Sequence, residues 1–197
     1  MAIAVSPPAV HPQRGRVAGL RQVAISAPFD SRGPVVGSPH GAHHGPDELL
    51  GIAVGLATRA ESWPGMARST RRRWDLMAAS EAVEAWVIAW PPGGAIELHD
   101  HGGSAGAVVV AVGELVETSI VSQPSGGVAL RTTTIGVGGS LRFAGRHVHD
   151  IVNLGDRPAI SVHVYAPRIT SMTYYRLVEG VLEAGATVRY VSGQANP

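Results

Sequence analysis

From about residue 70 onward, apolar positions fall into short runs that are rich in β-branched residues and either alternate with polar ones or fill the run completely. The runs "EAWVIAW", "GAVVVAVGELVETSIV", "VALRTTTIGV", "GSLRFAG", "VHDIVNL", "AISVHVYA" and "VRYVS" are punctuated by glycine and proline. Segments of this kind read as strands. Many of them in close succession predict a mainly β domain, a sandwich or a small barrel. One stretch breaks the pattern. In "PDELLGIAVGLATRAESW", Leu49, Ile52, Ala53, Leu56 and Ala57 recur at helical spacing. Pro46 suits a first helical turn, and Asp47 and Glu48 suit its positive end. A packing helix is therefore expected over 46–62, ahead of Pro64. Residues 1–45 show little periodicity and are rich in Pro, Gly, Ser, Ala and His. They are expected to form a flexible N-terminal extension, with 46–197 as the folded domain. His40, His43 and His44 read as solvated residues of that glycine-rich stretch.

Composition narrows the chemistry. The chain has 197 residues, with 16 Lys+Arg against 15 Asp+Glu and a formal net charge of +1. No polyanion-binding surface follows from that balance, so nucleic acid is not an expected partner. Every basic residue is arginine, which excludes a Schiff-base or phosphate-loop lysine. Cysteine is absent, so a thiolate nucleophile, a disulfide framework and a thiolate metal site are all excluded. Any metal must be held by nitrogen and oxygen. No apolar run reaches the ~20 residues a membrane-spanning helix needs, and "MAIAVSPPAV" is too short and proline-broken for a signal-peptide core. A cytoplasmic monomer is the expectation.

The chemistry concentrates in "IELHDHGGSAG". On a strand, His99 and His101 would share one face and Asp100 the other. A third ligand from another strand would complete a metal site, and His147, His149 and His163 are the candidates. The segment "HVHDIVN" supplies a second pair far along the chain, as a pocket lined by two strands requires. A third feature is the polar alternation in "AISVHVYA", where Ser161, His163 and Tyr165 fall on one face of an otherwise apolar strand.

The spacing Gly93, His99, His101, Gly106, Gly113 resembles the first motif of the cupins, and His149 with Asn153, downstream of Gly138, resembles the second. The Asn153 spacing favours His149 over His147 as the third ligand. Where the cupin motif places a glutamate ligand, this chain has Ala105 and Gly106. That loss is typical of the thiol dioxygenases. The chain resembles a bacterial cysteine dioxygenase from about Arg73 to Pro167, and more loosely through the helix. The resemblance implies a cupin jelly roll and Fe(II) held by His99, His101 and His149. It also implies a catalytic group of Ser161, His163 and Tyr165 beside the iron. Arg73 would bind the substrate carboxylate with Tyr165 nearby, and Arg71 is the alternative if the strand register differs. Some family members carry a cysteine at the position of Gly106, cross-linked to the tyrosine; this chain has none to link. The implied reaction is oxidation of L-cysteine by O2 to cysteine sulfinic acid. A dioxygenase for 3-mercaptopropionate or another thiol carboxylate is the nearest alternative, and a non-catalytic metal- or ligand-binding cupin the alternative of another class. The expected partners are a small thiol and O2.

Overall fold

Backbone pairing converts the alternating runs into two antiparallel sheets. The structure, a computed structural model, describes residues 44–59, 63, 65–122, 128–178 and 180–190. The strands are β1 (Arg73–Ala79), β2 (Glu84–Trp90), β3 (Ala95–His99), β4 (Ala105–Val112), β5 (Leu115–Ser122), β6 (Val128–Ile135), β7 (Ser140–Phe143), β8 (His149–Val152), β9 (Ala159–Ala166), β10 (Ser171–Val178) and β11 (Val181–Arg189). One sheet has the order β1-β2-β9-β4-β7 and the other β11-β10-β3-β8-β5-β6. This is the jelly roll expected from the motifs. The hairpin of β10 and β11 was not legible in the apolar pattern, because most of its positions are exposed or half-buried. The "VRYVS" run ends β11 at Arg189, and its last two residues lie outside the described ones.

β2 and β9 are buried along their whole length, because each has an apolar partner on both faces. On one face Trp86, Ile88 and Trp90 join Val108, Val110, Leu115, Ile151, Tyr165 and Met172 between the sheets. On the other, Ala85, Val162, Val164, Ala107 and Val109 pack beneath the helix α1 (Pro46–Ala57), whose Leu49 and Ala53 are fully buried. The helix is shorter than the expected 46–62. It ends at Ala57, where the Thr58 hydroxyl donates to the Gly55 carbonyl. Of the N-terminal extension only His44 and Gly45 are described, and His44 pairs with Glu48 at 2.8 Å; His40 and His43 lie outside the described residues. No described helix is long and apolar enough to cross a membrane.

The motif asparagine has a structural task. Asn153 donates through Nδ2 to the carbonyls of Trp90 and Arg157, at 2.9 and 2.8 Å, and accepts from Gly155 N–H. Its backbone also exchanges hydrogen bonds with Gly93 and Gly94. It thereby fastens the end of β2, in one sheet, to the end of β8, in the other.

Candidate metal centre

β3 and β8 pair with His99 opposite His149. The register shifts between Ile96 and His99. Such a bulge lets two residues three apart face the same way, and both are buried. β3 stops at His99, so His101 is carried inward by the following turn rather than by strand alternation. Asp100 builds that turn: Oδ1 accepts from Gly102 N–H and Thr173 N–H, both at 3.0 Å, and Oδ2 from the Tyr175 hydroxyl at 2.8 Å. Tyr175's hydroxyl is pushed up to about 12 by burial and by this carboxylate. Gly102 takes φ +61° in the turn, where a Cβ would also meet Ser171.

The result is a cluster of three buried imidazoles. Ring centroids of His99, His101 and His149 are 4.8, 4.9 and 5.1 Å apart. One nitrogen of each lies within 4.8 Å of the others, a set that could hold a metal ion. Hydrogen bonding sorts their nitrogens. His99 Nδ1 donates to the Glu97 carbonyl at 2.8 Å, and His149 Nδ1 faces Glu117 Oε1 at 2.8 Å, so Nε2 carries the lone pair in both. Among the described residues neither ring nitrogen of His101 has a hydrogen-bond partner, although both are buried. A buried polar group without a partner costs free energy. A metal ion on the lone-pair nitrogen removes that atom's share of the cost, so the residues fit the implied ion. The bases are ready for it: burial lowers His99 to about 4, and holds His101 and His149 well below the usual imidazole range, with neighbouring histidines adding to the effect. All three are neutral ligands near pH 7. His147 belongs to a different group. Its Nε2 faces Glu117 at 2.8 Å, not the other three rings' lone pairs.

Ser161, His163 and Tyr165 lie together on the inner face of β9. Trp90 Nε1–H donates to Ser161 Oγ at 2.8 Å, Ser161 Oγ lies 2.8 Å from His163 Nε2, and His163 Nδ1 lies 3.0 Å from the Tyr165 hydroxyl. Burial, then the Arg72 charge, lowers His163 to about 3, so the ring is neutral and carries one N–H. Among the described residues Ser161 has no acceptor for its proton other than His163 Nε2. That fixes the direction: Trp90 to Ser161, Ser161 to His163, and His163 Nδ1–H to Tyr165. The tyrosine keeps its own proton to donate. Burial raises its pKa further, and its ring sits 5.0 Å from His101.

The structure turns a different arginine of the run inward from the one expected to face the pocket. Arg73 points outward, pairs with Asp75 at 2.9 Å and is 55% exposed; Arg71 is exposed as well. Arg72 is the one that turns in. Its guanidinium carbon lies 5.2 Å from the Trp74 ring centroid and 5.0 Å from that of Trp90. Period-two alternation puts Arg72 on the face of Trp74, which packs on the core between the sheets. The signal was in "RRRWD": a tryptophan marks the inward face, and the arginine two residues before it shares that face. Glu117 was also missed. The alternation of "LVETSIV" places it inward between Leu115 and Ser119, all three buried.

The family model of cysteine dioxygenase type I matches residues 48–176. Similar solved structures include TT1209 from Thermus thermophilus, 22% identical, covering 52% of this chain and 89% of that one with a TM-score of 0.44. An uncharacterized conserved protein with a double-stranded β-helix domain from Klebsiella pneumoniae is 20% identical, covering 54% and 80% at 0.45. A cupin domain from Bordetella pertussis is 22% identical, covering 49% and 93% at 0.38. No curated protein matches.

Proposed function

This chain belongs to the cysteine dioxygenase type I family, and from that premise we propose that it is an Fe(II)-dependent enzyme oxidising L-cysteine with O2 to cysteine sulfinic acid. The observation that carries the reading is His101, buried beside two other neutral imidazoles with no hydrogen-bond partner on either nitrogen among the described residues. His99, His101 and His149 would hold the Fe(II), which would supply redox chemistry toward a thiolate and O2. The remaining work falls to side chains. Three neutral imidazoles bring no negative charge of their own to a bound cation, which would favour an anionic thiolate there. Arg72 replaces Arg73 as the carboxylate partner. Its planar guanidinium can donate two parallel hydrogen bonds, and the faces of Trp74 and Trp90 hold it in place. Tyr165 directs its hydroxyl proton into the pocket, because His163 already occupies its oxygen as a donor. The reaction balances without an outside reductant: a thiol and O2 give a sulfinate and one proton, with both oxygen atoms on sulfur.

Oxygen uptake and product analysis on a panel of cysteine, 3-mercaptopropionate and cysteamine test this. One sulfinate per O2 with cysteine is the expected result. Arg72→Gln should lower kcat/KM for cysteine roughly 10- to 100-fold, as loss of a hydrogen bond to a charged group, about 1.5–3 kcal/mol, predicts. Arg73→Gln should change it little. No uptake with any thiol by the iron-loaded protein would refute the dioxygenase reading. Preference for 3-mercaptopropionate would refute the substrate alone.

A further inference from the structure

The cupin motif's missing glutamate leaves the three imidazoles without a carboxylate beside them. A buried carboxylate nevertheless stands one residue layer farther out. The Glu117 side chain is 4% exposed and occupies an inward position of β5 that an apolar residue would fill at less cost. Its Oε1 lies 2.8 Å from His149 Nδ1 and 2.8 Å from His147 Nε2. Carboxylate oxygens only accept, so both imidazoles donate to the same atom. His147 is held in turn by stacking on Phe143, with centroids 4.5 Å apart and planes at 15°, and Phe143 stacks on His101 at 5.0 Å.

We propose that Glu117 is a positioning residue of the metal centre, acting through His149, with His147 as the clamp that holds the carboxylate in place. The proposal rests on the three-histidine reading above. Accepting the Nδ1 proton of His149 fixes that ring's tautomer, so that Nε2 carries the lone pair. It also fixes the ring's rotation and makes it a stronger donor to a cation. The negative charge that the usual motif spends on a ligand is moved behind a ligand instead. A coordination position stays open while the metal still receives anionic support.

The geometry also provides a test that a purely structural role would not pass. Glu117 and His147 line a cavity of about 430 Å³, along with Arg131, Arg142 and Arg146. Truncating Glu117 therefore opens a space that a small carboxylate can enter. The experiment is Co(II) titration of the metal-free protein, followed by the ligand-field absorption band and chelator competition. Wild type, Glu117→Ala, Glu117→Gln, His147→Ala and His149→Ala are compared, with the fold checked by circular dichroism. Glu117→Ala should weaken Co(II) binding about 10- to 100-fold, and added formate should recover part of that loss. Glu117→Gln, whose amide oxygen still accepts one N–H, should fall between; it carries the test if the alanine variant does not fold. The Fe(III)/Fe(II) potential should rise in Glu117→Gln. Wild-type affinity and potential in the Glu117 variants would overturn the proposal. So would two ions per chain with one lost in His147→Ala, because Glu117, His147 and His149 would then be ligands of a second cation. Undiminished binding in His149→Ala would instead refute the three-histidine reading.

Discussion

Gly106 offers the sharpest test of how tightly the centre is packed. It lies in β4 with Phe143 and Tyr165 as its partners on the two neighbouring strands. A Cβ added there would stand 2.6 Å from Phe143 Cε2 and Cζ and 3.0 Å from Tyr165 Cδ1. Carbon atoms pack comfortably at about 3.5–4.0 Å, so the phenylalanine ring would have to retreat by about 1 Å. It has nowhere to go. Phe143 is buried and sandwiched between His101 and His147. Overpacking of this kind costs about 1–3 kcal/mol. At roughly 2–4 °C per kcal/mol for a domain of this size, Gly106→Ala should lower Tm by about 2–12 °C. The displaced ring should also tilt His101 and weaken metal binding. Differential scanning calorimetry of the metal-free protein reads the first effect and Co(II) titration the second. A Gly106→Ala protein that melts within about a degree of wild type, with unchanged Co(II) affinity, would refute the packing argument. A cysteine at 106 would meet the same obstacle before it could be joined to Tyr165.

Three other outcomes follow from the site. His99 at about 4 and His163 at about 3 have depressed folded-state values, so the metal-free protein should be most stable above about pH 6.5 and lose stability as pH falls through 4; His99 alone contributes on the order of 3 kcal/mol, and urea midpoints that stay flat across this range would contradict it. Asp100→Ala should lower Tm and loosen metal binding by removing three hydrogen bonds from the His99–His101 turn, and in Asp100→Asn the Tyr175 phenol should titrate below about 12 when followed by ultraviolet absorbance. Tyr165→Phe should keep the metal and the fold but slow turnover and let O2 consumption run ahead of sulfinate; unchanged turnover and coupling would mean that the ring only packs.

Period and spacing made most of the fold legible. Strands buried on both faces, such as β2 and β9, announce themselves as unbroken apolar runs. The exposed β10–β11 hairpin has no such signature, since its residues answer to solvent. The histidine pairs, the polar face of β9 and Asn153 were all readable because each departs from its local pattern at a fixed interval. Arg73, the arginine expected to face the pocket, turns outward, and its neighbour Arg72 turns inward. In "RRRWD" the charges are identical, and only Trp74 tells which of them faces inward. Glu117 went unread for another reason. Its partners His147 and His149 come from a distant part of the chain, so what the carboxylate does depends on a pairing of β5 with β8 that local sequence does not reveal.

The positions of the strands divide the centre unequally in time. β9 is central in its sheet, flanked by β2 and β4, with α1 and the core covering its two faces. Amides in such a place exchange with solvent only when the whole domain opens. The hydroxyl and imidazole chain of Ser161, His163 and Tyr165 should thus ride on one of the slowest-exchanging of the described strands. His99 sits at the end of β3, beside β10, whose other neighbour is the largely exposed edge strand β11. Local opening of that edge can release the histidine turn through Thr173 and Tyr175 without disturbing β9. Metal exchange should therefore proceed through the β10–β11 side on a timescale faster than global unfolding, and protection measured by hydrogen exchange should fall from β9 toward β11.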